Sequence, residues 1–144
     1  MQKNLEDFEM LQAALDNDKN ESVSNLTYSQ IKRDKNDILQ SVQFKSDELK
    51  TLHARLNDYR YIENEGDVCI GSYVRWISLK NPDNLFLTNG AHVCGISGAQ
   101  IRCKTTHGNR CRFFVLNADE TILFQKLTDQ ERIILDAFKF IEKH

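Results

Sequence analysis

The sequence predicts an α+β protein: an N-terminal coiled-coil helix, a small antiparallel SH3-like β-barrel, and a C-terminal capping helix. Three observations predict it. A 4-3 heptad spacing runs without Gly or Pro from Tyr28 to Tyr59, the hydrophobic period then falls to two, and a capping box opens the last segment.

A short amphipathic helix is expected over residues 3–16, where Leu5, Phe8, Leu11 or Gln12, and Leu15 recur at three- and four-residue steps. Asp16-Asn17-Asp18-Lys19-Asn20-Glu21 has no apolar residue and reads as a break, so residues 1–22 form a short helix and linker. Ser24 or Asn25 is placed to cap the long helix assigned to residues 23–60. Tyr28, Ile31, Lys35, Ile38, Val42, Lys45, Leu49, Leu52, Leu56 and Tyr59 occupy its alternating a and d positions. A seam of period 3.5 keeps one face toward a partner helix, and roughly 48 Å of helix exceeds what one small core needs. These ten residues are therefore the expected homo-oligomerisation surface. Lys35 at an a position can set register and oligomer number. The alternative is an intramolecularly packed helix with Lys35 and Lys45 snorkelling to solvent.

Residues 61–127 carry the barrel expectation. Tyr73–Leu79 alternates, Asn81-Pro82-Asp83-Asn84 turns, and Asn89-Gly90 separates Leu85–Leu87 from Ala91–Ile96 as a hairpin signal. Ile101–Thr105 and Cys111–Leu116 flank a tight turn at His107-Gly108-Asn109, and Thr121–Gln125 completes six short strands. Close spacing of short strands fits an SH3-like or Tudor-like barrel, with an OB-like barrel as the alternative. In residues 128–144, Thr128-Asp129-Gln130-Glu131 is the capping box. Ile133, Ile134, Ala137, Phe138 and Ile141 form the stripe of a helix expected to plug the barrel.

The net charge of −2 hides a division along the chain. Residues 1–70 carry nine Lys/Arg against fourteen Asp/Glu, residues 71–116 carry six against one, and residues 117–144 carry four against six. The basic middle holds Arg75, Arg102, Lys104, Arg110 and Arg112, alternating with apolar residues, so several are expected on one solvent face. With Tyr73, Trp76, Phe86, Phe113 and Phe114 nearby, charge and rings together suit single-stranded nucleic acid. The competing reading makes most of these rings core and the basic face a balance to the acidic helices.

Cys69, Cys94, Cys103 and Cys111 are separated by 24, 8 and 7 intervening residues, with no Cys-x-x-Cys. They read as small apolar groups in the sheet. The alternative is a composite zinc site from Cys94, Cys103 and Cys111 with His92 or His107. No Gly-rich phosphate loop, HExxH motif or nucleophile elbow occurs. No cofactor or catalytic residue is expected, and the protein reads as a non-enzyme. The N-terminus lacks an apolar h-region and no run approaches a membrane span, so a cytoplasmic, non-membrane protein is expected. The sequons at Asn20 and Asn25 read as chance matches.

The β region resembles short uncharacterised proteins of large nucleocytoplasmic DNA viruses. Gly71-Ser72-Tyr73-Val74-Arg75-Trp76-Ile77, Leu85-Phe86-Leu87-Thr88-Asn89-Gly90, Ile101-Arg102-Cys103-Lys104, Arg112-Phe113-Phe114 and Phe124-Gln125-Lys126-Leu127-Thr128-Asp129 carry the resemblance. It covers roughly residues 60–143 and brings no active site. It implies a viral protein of the host cytoplasm or the virion. The leading expectation is a non-enzymatic assembly or adaptor protein, oligomeric through the coiled coil and docking a protein partner at the β-domain. The alternative is a nucleic-acid-binding module using the basic face.

Overall fold

The computed structural model describes residues 2–143. The heptad stretch is not one helix. It divides into α2 (Tyr28–Ser41) and α3 (Ser46–Arg55), after a first helix α1 (Gln2–Asp16) and a 3-10 helix Asp18–Val23. The break has a local cause. Val42 and Gln43 close with three-residue hydrogen bonds to Leu39 and Gln40, and Gln43 adopts φ 63°, the left-handed region that stops a right-handed helix. The turn lets Phe44 pack into the core shared by the second half of α2 and by α3. Thr27, not Ser24 or Asn25, caps α2, its Oγ1 accepting from Gln30 N at 3.1 Å.

Six strands follow: β1 (Tyr59–Ile62), β2 (Tyr73–Ser78), β3 (Ala91–Ser97), β4 (Gln100–His107), β5 (Arg110–Asn117) and β6 (Thr121–Lys126). Last comes α4 (Asp129–Lys143). The number of strands matches the expectation but the membership does not. Leu85–Leu87 contributes only one bridge, Ile77 to Leu87, and β1 arises where the sequence predicts the end of the long helix. The protein is α+β with one antiparallel sheet ordered β1-β6-β2-β3-β4-β5.

That sheet is open, where the sequence predicts a closed barrel. Closure needs β5 to return to β1. Instead the hairpin end of β5, Arg110 to Phe113, runs on beyond the core and stays exposed. β2 and β3 pair only at Tyr73–His92 and Val74–Ala91 before parting.

The chain divides into two units. In the unit from Lys35 to Lys126, one core gathers side chains from all six strands, so the sheet curls about it. Its opposite face is covered by Leu39 of α2, Leu52 of α3 and Leu56 just after α3, packed on Tyr59, Ile77, Ile122 and Phe124.

In the other unit, up to Asp34 and from Leu127 on, Ala14, Val23, Ile31, Leu127, Ile134 and Leu135 form a helical core. Here α4 packs its inner face with α1, whereas the sequence predicts a plug for the sheet. The capping box closes as predicted: Thr128 N donates to Glu131 Oε1 at 3.0 Å and Glu131 N to Thr128 Oγ1 at 3.1 Å. The polar break at 16–21 is also structured. Asn20, 5% exposed, donates Nδ2 to Ala14 O at 2.8 Å and to Gln130 Oε1 at 3.1 Å, so its sequon is folded away.

Candidate functional site

Strand register decides what the basic residues can do together. Ile101↔Leu116, Cys103↔Phe114 and Thr105↔Arg112 put Arg112, and Arg110 opposite His107, on the face that carries the sheet core. Arg102↔Val115 and Lys104↔Phe113 fall on the other face. The basic residues are therefore split, Arg102 and Lys104 on one face and Arg110 and Arg112 on the other, because alternation sends adjacent-strand cations to opposite sides whenever their register parity differs. Arg75 is engaged elsewhere, donating Nε to Thr88 O at 2.8 Å. Arg102 lies over Gly95, whose missing side chain leaves room for the guanidinium.

Lys104 and Arg112 nevertheless border one opening, from opposite faces of the sheet. Where β2 parts from β3, the open end of the sheet holds a trough of about 620 Å³. In its lining, Trp76, a buried core residue, and half-buried Phe114 pack on each other with ring centroids 5.5 Å apart, and Tyr73 meets His92 edge-on at 5.0 Å. Lys104, Arg112 and His107 line the rest, with Thr88, Thr105 and Thr106 supplying hydroxyls. No carboxylate lines it among the described residues.

The wall at Thr88–Gly90 is held rigidly. Thr88 N donates to Trp76 O at 3.0 Å and Trp76 N donates to Thr88 Oγ1 at 3.2 Å. Tyr73 Oη donates to Asn89 O at 2.7 Å. Gly90 adopts φ 109°, and a Cβ there would sit 2.7 Å from both Tyr73 Cε1 and Val74 O. Asn89-Gly90, read in the sequence as a hairpin turn, thus serves as a close-packed wall that only glycine permits. Arg75 serves the same segment through Thr88, which makes it a positioning residue.

The chemistry offered is recognition of an anion bearing a flat ring. Half-buried Phe114 and Tyr73 with exposed His92 offer ring surface beside buried Trp76, two permanent cations draw negative charge, and the absence of carboxylates among the described lining residues disfavours the ammonium ligands that aromatic cages otherwise hold. The cysteines do not join this site. Cys103 is fully buried in the sheet core, and burial pushes its thiol up to about 11. Cys111 is exposed and pairs with Thr106 on the opposite face from Cys103, so the two do not face each other. No group of three His, Cys, Asp or Glu side chains gathers as a metal site among the described residues.

The heptad seam is largely occupied within the units themselves. Tyr28 Oη donates to Asp136 Oδ1 at 2.7 Å, and burial with that bond pushes its pKa up to about 12. Ile31 belongs to the helical core. Lys35, buried, donates Nζ to Leu56 O at 2.9 Å. Leu52, Leu56 and Tyr59 are buried, Ile38, Val42 and Leu49 pack beside them, and Lys45 is the exposed N-cap of α3.

No known protein family matches this chain, and no curated protein or solved structure does either. No helix among the described residues is long and apolar enough to cross a membrane.

Proposed function

We propose that this protein is a non-enzymatic binding module that takes single-stranded nucleic acid in the trough at the open end of its sheet. The observation that carries the reading is a ring-lined cleft bordered by Arg112 and, from the other face of the sheet, by Lys104, with no carboxylate among its described lining residues. One base stacks against the half-buried Phe114 ring, next to buried Trp76, a contribution of about 1–3 kcal/mol per base. Lys104 and Arg112 hold the flanking phosphates, Arg112 by a forked pair of N–H groups. Two phosphate contacts give modest affinity and a log–log salt slope of roughly −1.4.

The finer fold reading goes with this one: an SH3-like barrel stopped short of closure, supported by a single core fed from all six strands. Self-association through Tyr28–Tyr59 has weaker support, because Ile31, Lys35, Leu52, Leu56 and Tyr59 are buried within the protomer. The resemblance to proteins of large DNA viruses would place such a module in the host cytoplasm or the virion.

The test is fluorescence anisotropy with a labelled oligothymidylate. The Lys104→Ala/Arg112→Ala double variant loses binding by about tenfold or more, roughly 1.4 kcal/mol. Arg102→Ala, which lies outside the trough, changes it little. Equal losses from both variants would overturn the trough as the site.

A further inference from the structure

The helical unit leaves a second, chemically different cleft. On α1, Leu11 and Ala14 turn inward to the helical core, while Phe8 stands 63% exposed and Met10 is also exposed. On α4, Ile134 and Leu135 turn inward, while Phe140 and Ile141 are each 66% exposed. Between the two helices these side chains, with small Ala137 among them, line a groove of about 640 Å³. Apolar side chains exposed side by side in this way mark interaction surfaces.

The acidic lining chooses the occupant. Asp7 and Asp136 line the groove, and no Lys or Arg does among the described residues. α1 also carries exposed Glu6 and Glu9, and of the cations on α4 Lys139 is engaged over the Tyr28 ring, 5.9 Å from its centroid. A second copy would bring the same carboxylates against these, whereas a basic partner is attracted to them. The groove follows α4 from Ile133 to Ile141, about 12 Å or two helical turns. A helix occupying it presents anchors at i, i+3 or i+4, and i+7.

We propose that this groove docks an amphipathic helix of a protein partner, apolar along one stripe and flanked by lysine or arginine. With nucleic acid held by the sheet unit, the chain would then be an adaptor. The docking stands independently of the trough.

The test uses the full chain and two fluorescein-labelled helical peptides of about 18 residues with the same leucine stripe. One is flanked by lysines and its twin by glutamates. The lysine peptide binds at least about tenfold tighter than the glutamate twin, and its binding weakens between about 0.05 and 0.2 M salt. Phe8→Ser/Ile141→Ser, at two exposed positions, weakens it by about tenfold or more while far-UV circular dichroism stays unchanged. Binding by neither peptide, or equal binding by both, overturns the proposal. So does retention of full affinity by the double variant. Light scattering that shows self-association relieved by the same variant would give the groove to a second copy and equally overturn it.

Discussion

Replacing Lys35 by methionine separates two accounts of the heptad stretch by the sign of one measurement. Lys35 is buried and its ammonium donates to Leu56 O at 2.9 Å, joining α2 to the end of α3. Lys35→Met keeps the apolar stem and removes only the charged donor. A hydrogen bond from a charged group contributes about 1.5–3 kcal/mol. Leu56 O also accepts from Tyr59 N at 3.0 Å, so it is not left orphaned and the low end applies, about 1.5 kcal/mol. With a urea slope of about 2 kcal/mol/M, the midpoint falls by roughly 0.8 M. Fluorescence of Trp76, the only tryptophan, reads unfolding of the same unit. At an a position of an oligomeric coiled coil the same substitution would strengthen the seam. A midpoint that rises, and that climbs further with protein concentration, would refute the packing described for Lys35.

Three further outcomes follow from particular contacts. Gly90→Ala meets both the φ of 109° and Cβ contacts at 2.7 Å, so it costs about 2 kcal/mol or more and abolishes oligothymidylate binding. Urea titration and anisotropy check the two halves, and an unchanged midpoint would contradict the wall geometry. In native protein, Cys94 and Cys111 react with a thiol reagent while fully buried Cys103 reacts only on unfolding. The folded state holds the Cys103 proton to about 11 against an ordinary value near 9, so stability is complete below pH 9 and declines as pH rises toward 11. Flat stability across that window would count against its burial. Tyr28 likewise contributes fully below about pH 10 and loses that contribution as pH rises through about 12. Tyr28→Phe abolishes this decline and costs about 1 kcal/mol at neutral pH by losing the Asp136 bond, measurable by denaturant titration at several pH values.

What the sequence makes legible is local. The Thr128–Glu131 box and the two-residue turn at Gly108-Asn109 each depend on residues a few positions apart, and both form. The heptad spacing misleads for a physical reason. Two successive helices packed on one core need the same stripes as a long helix packed on a partner. The deciding residue is Gln43 in a left-handed conformation, a position at which glycine would have given the signal and glutamine gives none. Leu85–Leu87 has strand composition, but pairing beyond Ile77↔Leu87 is a tertiary matter.

The trough was half visible. Lys104, Arg112 and the rings stand out as residue types, but the basic face drawn from them assumed that alternation on each strand carries across strands. The Thr105↔Arg112 register breaks that assumption, and the early parting of β2 from β3 leaves the opening that both cations border. Neither feature has a signature in composition or spacing. The groove between α1 and α4 was hidden similarly, because the predicted stripe of α4 mixes core residues such as Ile134 with Ile141, which faces outward.

The most direct measurement is quenching of Trp76 fluorescence during titration with oligothymidylate across a salt series. Trp76 is the sole tryptophan and lines the trough. Saturable quenching with a log–log salt slope of roughly −1.4, abolished by Lys104→Ala/Arg112→Ala, is the predicted result. Absence of quenching at about 0.05 M salt, or quenching that survives the double substitution, would contradict it.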